Sequence, residues 1–279
     1  MRQCAFTVDV DRDVNKPCTG QACAVSNAVN GDQGPRFRSS AKGLERMVDL
    51  LDHLDIQGTF FFEARTALEI SREIDLVDLM KGHEVASHAY DHEDLTGKET
   101  GVKLTRSDMD DILERSVSAL HEIFGTGRMG FRAPYLGVRD DLADLLHGKG
   151  FKYDSSVILM LKDGAIRPFQ LSNGLWEVPV ACANDAEGKK IVGYLWPMHE
   201  NARPPEHYLE MFEHFREGLF VLADHSWHVQ ESYSRGMLSG PDAERELTKL
   251  RDVLEGALDG GVEFTRLDDH ILEQFGEGR

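Results

Sequence analysis

The chain has 279 residues, 41% of them hydrophobic, enough to bury a full core as one large domain or two small ones. Its formal net charge of −18 opposes a phosphate backbone and an anionic membrane surface alike, so neither nucleic acid nor membrane is an expected partner. No apolar run approaches the roughly 18 residues of a membrane span, and Met1-Arg-Gln-Cys4 leads into a strand pattern rather than a signal-peptide core, which gives a soluble, cytoplasmic protein as the expectation.

Ala5 to Asp11 alternates, with Phe6, Val8 and Val10 on one face of a strand and Thr7, Asp9 and Asp11 on the other. Two carboxylates therefore point the same way where the strand ends. Residues 12–40 show no periodicity and carry Pro17, Gly20, Gly31, Gly34 and Pro35, which reads as a long loop, either a lid over the two aspartates or a disordered insertion. Cys18 and Cys23 fall in it. A zinc or redox pair is conceivable for them, but with Cys4 and Cys182 the chain has four cysteines, too few for a disulfide scaffold.

Leu44, Met47, Val48, Leu50, Leu51 and Leu54 have helical spacing, and Thr59-Phe-Phe-Phe62 suits a buried strand. A second helix is expected over Leu68–Met80, then a short strand at Glu84-Val-Ala86. His88 and His92 follow it, four residues apart. On a helical turn that spacing places both imidazoles on one face, where they could bind one metal ion, although an i,i+4 pair among 12 histidines can also be plain surface or core. Ser107 is the expected N-cap of a helix carrying Met109, Ile112, Leu113, Val117, Leu120 and Phe124 and stopped by Gly125. Arg132 then sits at a strand end before Pro134, a short helix runs from Asp140 to Leu146, and Phe151–Asp154 ends another strand.

Leu175–Val180 and Ile191–Leu195 read as strands, Glu206–Phe215 as a helix, and Leu219–Ala223 as a buried strand ending at Asp224-His225. A helix opened by Pro241 runs to Leu258, and Val262–Thr265 closes the pattern. About seven strands alternate with helices and no linker separates them. One α/β domain spanning 1–279, a distorted (β/α) barrel, is the expected fold.

Asp9, Asp11, His88, His92, Arg132, Asp154 and His225 all fall at or just after the C-terminal ends of these strands, which share one rim in a parallel barrel. One carboxylate and two imidazoles form a three-ligand metal site with an open position, as in catalytic zinc centres. A second carboxylate is left to take a proton from water. A histidine opposite can protonate a leaving group, its other nitrogen held by an acid. Together these are the parts of metal-assisted amide hydrolysis.

The ordered set resembles the polysaccharide deacetylase family, the NodB-homology or carbohydrate esterase 4 domain, from about Phe6 to Leu267. Thr7-Val-Asp-Val-Asp11 is similar to the first family motif in a spaced Asp-x-Asp form, which resembles the intracellular branch, including enzymes of cyclic imides and ureides. The resemblance implies Asp9 as general base, Asp11 as metal ligand, and His88 and His92 of His88-Ala-Tyr-Asp-His92 as the other two ligands. It further implies that Arg132 of Phe131-Arg-Ala-Pro-Tyr135 holds the base, and that Asp154 of Tyr153-Asp-Ser-Ser156 pairs with His225 of His225-Ser-Trp227 to supply the general acid. Ala89 replaces the usual Ser or Thr, no Trp follows Asp154 at the family's distance, and His228 is a second candidate acid.

By that resemblance the chain is expected to be a metal-dependent hydrolase of non-peptide carbon–nitrogen bonds, with a divalent metal, zinc foremost, and a small-molecule or carbohydrate substrate. Deacetylation of an N-acetylated sugar or polysaccharide precursor is the leading reading, beside hydrolysis of a cyclic imide or ureide and a non-catalytic metal- or carbohydrate-binding relative. Trp176, Trp196 and Trp227 line either the core and pocket or a partner surface. The oligomeric state, a homo-oligomer included, is left open.

Overall fold

In the computed structural model of the protein, which describes residues 1–276, the alternation of β1 (Arg2–Val10) separates two apolar compartments. Phe6, Val8 and Val10 enter the large core between sheet and helices, while Ala5 faces an inner cluster with Phe61, Ala86, Tyr153, Val180 and Val221. Both faces are covered, so Thr7 and Asp9 are buried despite their polarity. A central parallel strand has this environment, which is why nearly every residue of β1 is enclosed.

The next strands, β2 (Lys16–Cys18) and β3 (Gln21–Val25), form an antiparallel hairpin in the stretch expected to be a structureless loop. The hairpin is tied to the chain around His92 by Ala24 N donating to the His92 carbonyl at 3.2 Å and Asp94 N donating to Ala22 at 2.8 Å. Cys18 and Cys23 lie on its two strands as free thiols. Helix α1 (Arg38–His53) follows and buries Leu44, Met47, Val48, Leu50 and Leu51 as their spacing requires. At Gly43 an added Cβ would lie 1.7 Å from the Ser226 carbonyl, so only glycine lets α1 approach the turn after His225 this closely.

Strand β4 (Thr59–Phe62) pairs in parallel with β1, and its three phenylalanines are fully buried, each stabilising the fold by about 1.5–3 kcal/mol. The helix expected over Leu68–Met80 is instead two short ones, α2 (Ala64–Ile70) and α3 (Leu76–Leu79), separated by a polar turn and restarted by Asp75 capping Asp78 N. Strand β5 (Glu84–Ser87) pairs with β4. Helix α4 (Arg106–Phe124) begins two residues earlier than expected: its N-cap is Thr105, which forms a reciprocal capping box with Asp108, whereas Ser107 lies inside the helix. Gly125 ends it in the left-handed conformation.

Beyond α5 (Asp140–Gly148) come β6 (Tyr153–Asp154), β7 (Ile158–Met160), β8 (Ala165–Ile166) and β9 (Phe169–Gln170). Pro179 lacks an N–H and divides the expected Leu175–Val180 strand into β10 (Trp176–Glu177) and β11 (Val180–Asn184). Strand β12 (Lys190–Val192) pairs antiparallel with β11 and stops short of Leu195. Then follow α6 (Trp196–His199), α7 (Glu206–His214), β13 (Glu217–His225), the small hairpin of β14 (Glu231–Ser232) and β15 (Gly236–Met237), α8 (Gly240–Asp259), β16 (Glu263–Phe264) and α9 (Leu267–Phe275).

The main sheet runs β12-β11-β13-β1-β4-β5. Single-residue bridges Ser87↔Phe131 and Phe131↔Asp154 carry parallel pairing on from β5 to β6, while β10 and β11 lie parallel to β6 and β7 and Val180 pairs with Val221 of β13. The parallel segments thus succeed one another around the inner apolar cluster as a distorted α/β barrel. At its N-terminal end α9 inserts Leu267 and Ile271 into that cluster, and Leu267 N donates to Thr59 at 3.0 Å. The opposite end carries the polar groups. No helix among the described residues is long and apolar enough to cross a membrane.

Candidate metal and hydrolytic site

Asp9, next to last in β1, is set beside His225 of β13 in parallel register. Arg132 reaches its Oδ1 at 3.0 Å and Tyr194 donates its hydroxyl to Oδ2. Burial pushes the Asp9 carboxyl up, yet Arg132, His88, His225 and the Tyr194 hydroxyl together hold it below the usual carboxylate range. An ionised carboxylate is therefore retained in a fully buried place. Arg132 is itself enclosed, with Nη1 on Thr7 at 2.9 Å, Nη2 on the Ser155 hydroxyl at 3.0 Å, Nε on the Ser155 carbonyl at 3.1 Å, and its guanidinium 4.1 Å over the Phe61 ring. Every contact fixes the fork that fixes Asp9.

The ligating atoms of Asp11, His88 and His92 all lie within 4.8 Å of one another. The two histidines come together, but not on a helical turn. They sit in a loop after β5, where Ala89 and His92 adopt left-handed backbone with φ of 61° and 52°. That conformation costs a non-glycine residue about 1–2 kcal/mol, and the neighbours impose it: Ala64 N and Arg65 N at the start of α2 donate to the Ala89 and Tyr90 carbonyls, and Ser116 of α4 donates to Ala89 at 2.8 Å. A buried arginine completes the brace. Arg12 binds Glu63, the Asp91 carboxylate, the Asp91 carbonyl at 2.8 Å and the Ala24 carbonyl at 2.7 Å, joining β1, β4, the hairpin and the histidine loop.

The residues present fit a divalent cation. Asp11 Oδ1 and His92 Nδ1 are buried without a hydrogen-bond partner, an arrangement protein interiors avoid. His88 gives its Nδ1 to the Arg132 carbonyl at 2.8 Å, which leaves Nε2 as its free ligating atom. Burial lowers both imidazoles to about 4, keeping them neutral, as metal ligands must be. Burial raises Asp11 well above the carboxylate range, and the nearby Asp9 and Glu63 raise it further despite an opposing His225. Asp11 thus lacks the positive charge that a cation would supply.

These groups open into a cavity of about 410 Å³, within the usual size of small-ligand pockets. Tyr135, Tyr194, Trp196 and Tyr233 supply aromatic walls, the hairpin contributes Pro17, and no lysine or arginine among the described residues lines it. The hairpin segment thus forms part of the pocket wall. The three tryptophans do not make one surface: Trp196 stands at the pocket, Trp227 is buried against His228, and Trp176 stacks on Phe275 at 3.8 Å beside α9.

Asp154 departs from the expected arrangement. It hydrogen-bonds to Ser156, and its bonded partners among the described residues do not include His225. Its charged neighbour is Glu177 on β10. Burial raises Asp154 to about 6, and burial together with Asp154 raises Glu177 to about 9. The ring nitrogen facing His225 belongs to His228, with Nδ1 to Nδ1 at 3.2 Å. Sequence reasoning also passed over Arg12, Asn15, Tyr194 and Glu63. Arg12 follows the second aspartate directly, a local signal; Tyr194 meets Asp9 across 185 positions of chain, with no local signal at all.

An α/β barrel with a carboxylate and two histidines beside an arginine-held aspartate on its C-terminal rim is the arrangement that the resemblance to NodB-homology domains implies. Residues 27–153 match the family model described as polysaccharide deacetylase, a span that includes His88, His92 and Arg132. A peptidoglycan deacetylase-like protein of Gibberella zeae is 28% identical over 158 residues, 56% of this chain and 44% of that one. The peptidoglycan deacetylase of Helicobacter pylori is 27% identical over 42% of this chain and 37% of its own length. The chain therefore spans less than half the length of these curated relatives.

Among solved structures, a protein from Mycobacterium smegmatis described as a polysaccharide deacetylase superposes with a TM-score of 0.63 at 23% identity, over 96% of this chain and 88% of that one. The PuuE allantoinase gives 0.64 at 16% identity over 99% and 92%, and a carbohydrate esterase 4 pseudoenzyme from Bacillus anthracis gives 0.56 at 11% over 97% and 66%. These likenesses bear out the fold. Together with the family match they bear out the resemblance carried by the motifs: the chain is similar to the polysaccharide deacetylase family over residues 27–153.

Proposed function

We propose that the chain is a divalent-metal-dependent hydrolase of a non-peptide amide bond, and that it removes an acetyl group from a small N-acetylated sugar. The observation that carries this reading is the Asp11, His88, His92 cluster, in which Asp11 Oδ1 and His92 Nδ1 are buried without a partner, placed beside a carboxylate that Arg132 keeps ionised. Asp11, His88 and His92 would hold the ion, zinc foremost given the mixed imidazole and carboxylate donors. When bound, a divalent ion there supplies Lewis acidity, making a water more acidic and an amide carbonyl more electrophilic.

The chain's own groups move the protons. Asp9 takes a proton from the attacking water, whose oxygen bonds to the carbonyl carbon. Arg132 and Tyr194 keep that carboxylate ionised and fixed in direction. His225, beside Asp9 on the next strand, gives a proton to the departing nitrogen as the carbon–nitrogen bond breaks, and carboxylate and amine leave. The aromatic walls provide faces for a sugar ring, and a lining that among the described residues has Asp9 and Glu99 but no lysine or arginine favours an uncharged substrate over a phosphorylated one. A second reading, hydrolysis of a cyclic imide or ureide, draws on the same pocket, whose volume suits a small ring as well as a sugar.

Elemental analysis of the wild type beside His88→Ala and Asp11→Ala tests the ion, with about one divalent metal per chain expected in the wild type and a loss in both variants. Turnover of an N-acetyl sugar panel, set against a panel of cyclic imides and ureides, then separates the two substrates. A wild type that takes up no metal on reconstitution, or variants that keep full occupancy, would overturn the proposal.

A further inference from the structure

With Asp154 engaged by Ser156, the general acid needs another partner. Behind His225 the turn after β13 brings His228 back underneath it, and the two Nδ1 atoms stand 3.2 Å apart. On the far side of the His228 ring, Nε2 lies 3.6 Å from Glu200 Oε1 and has no closer hydrogen-bond partner. His228 is fully buried and held in plane by Trp227, whose ring lies 3.6 Å away, and by His199, stacked at 5.5 Å with 14° between the planes. Glu200 is fixed in turn: Tyr233 N donates to Oε1 at 2.6 Å, and the Ser232 and Ser234 hydroxyls donate to Oε2 at 2.9 and 2.8 Å.

We propose that Glu200 and His228 are positioning residues that set the tautomer and direction of His225, in the place expected for Asp154; this rests on the hydrolytic reading of the site. The tautomers follow from the charges. Burial of Glu200 is outweighed by the groups that donate to it, so it stays an anion, and burial pushes His228 down to about 3, so it stays neutral. A neutral His228 facing an anion carries its one proton on Nε2. Its Nδ1 is then an acceptor, and His225 must donate from Nδ1. That leaves His225 Nε2 as the atom that takes up a proton and delivers it into the pocket. Geometry at 3.6 Å is loose for a hydrogen bond, as unliganded catalytic contacts often are.

Asp224, His225 and His228 also lie within 4.8 Å of one another, a spacing that would suit a second cation. Asp224 is already committed, however, with Oδ1 on His225 N at 2.8 Å and Oδ2 on His199 Nε2 at 2.9 Å. Asp224 and Glu246 outweigh burial and raise His199 to about 9, so an imidazolium supplies the positive charge there. The cluster is completed by a proton.

The test is long-range proton–nitrogen NMR of the metal-loaded protein labelled in its histidines, with His225→Gln giving the assignment. Neutral His225 is expected to carry its proton on Nδ1, and in Glu200→Gln the population should shift toward the Nε2 tautomer. Turnover by Glu200→Gln should fall about 10- to 100-fold in kcat with KM little changed, and its pH profile should shift to lower pH because imidazolium loses the anion. A wild-type His225 protonated on Nε2, or a Glu200→Gln variant with unchanged tautomer and pH profile, overturns the proposal. The NMR arm needs no substrate, so it separates this failure from failure of the hydrolytic reading. A metal content of about two per chain would overturn it as well, by making His225 and His228 ligands.

Discussion

Asp11, His88 and His92 come from two short motifs whose supports lie close by: Asn15 binds Asp11 from four positions on, and the first residues of α2 and Ser116 of α4 hold the histidine loop. His225 is supported differently. Its contacts come from a turn three residues ahead and from Glu200, which precedes it by a helix, a strand and their loops, and Glu200 is itself fixed by the β14 hairpin. One side of the pocket is a compact ligand cluster that a metal would lock; the other is a relay of buried histidines assembled late in the chain. The difference teaches that two halves of one rim can be specified by quite different amounts of sequence, the first by spacing and the second by packing.

Removing the base charge is the strongest way to separate the two halves. Asp9→Asn keeps the shape, the Arg132 contact and the three-residue cluster but cannot accept a proton, so turnover is expected to fall about 10²- to 10⁴-fold while metal content stays at the wild-type level. Near-normal turnover would remove Asp9 from the base role. Arg132→Met acts on the scaffold instead, since it strands Asp9 in a buried place with Tyr194 as its remaining partner. Breaking such a pair costs about 3–5 kcal/mol, which thermal unfolding at neutral pH would register. An Asp9→Asn/Arg132→Met double variant should recover part of that loss, because the uncompensated charge is gone.

In the metal-free protein His199 carries a pH signature opposite to that of His88, His92 and His228. His88 and His92 are lowered from 6.5 to about 4 and His228 to about 3, each chiefly by burial. The unfolded chain binds those protons first, so their contribution is complete above 6.5 and is lost as pH falls toward 4. His199 is raised from 6.5 to about 9 against its burial by Asp224 and Glu246. Its contribution is complete below 6.5 and is lost as pH rises through 9. Unfolding midpoints are expected to decline on both sides, and His199→Gln should flatten the alkaline limb alone. An unchanged alkaline limb would mean that His199 is not protonated between its two carboxylates.

Much of the fold was legible because its signals are short-ranged. Alternation in β1, the apolar run of β4 and the 3.6-residue spacing of α1 each name an element without reference to anything distant. Asp9, Asp11, His88, His92, Arg132 and His225 were found as motif residues at strand ends. What stayed hidden depends on contacts across the chain. The histidine pair reads as helical by its spacing, but the hydrogen bonds from α2 and α4 hold it in left-handed turns. The hairpin at 16–25 has little periodicity of its own and is fixed by bonds to the carbonyls and amides around His92 and Asp94. Asp154 looked like the partner of His225 from its place in the order of motifs, yet Ser156 lies two residues away and binds it locally.

The cap of α4 provides a small effect outside both halves of the site. Thr105 accepts from Asp108 N at 3.2 Å through its hydroxyl, and Asp108 returns a contact to Thr105 N at 2.8 Å, so two end amides are satisfied by one exchange. Ser107, two positions later, was the expected cap but lies within the helix, where its amide and hydroxyl have no such duty. Thr105→Ala is therefore expected to cost about 1 kcal/mol, measured by denaturant unfolding, whereas Ser107→Ala should cost nothing or stabilise slightly through alanine's better helix propensity. Neither change should alter metal content or turnover, because α4 reaches the histidine loop through Ser116, some three turns away, where the helix is held by Met109, Ile112 and Leu113 in the core. If Thr105→Ala did lower metal content, the brace on the histidine loop would depend on the whole of α4, and the ligand cluster would be as dispersed in its making as the relay opposite.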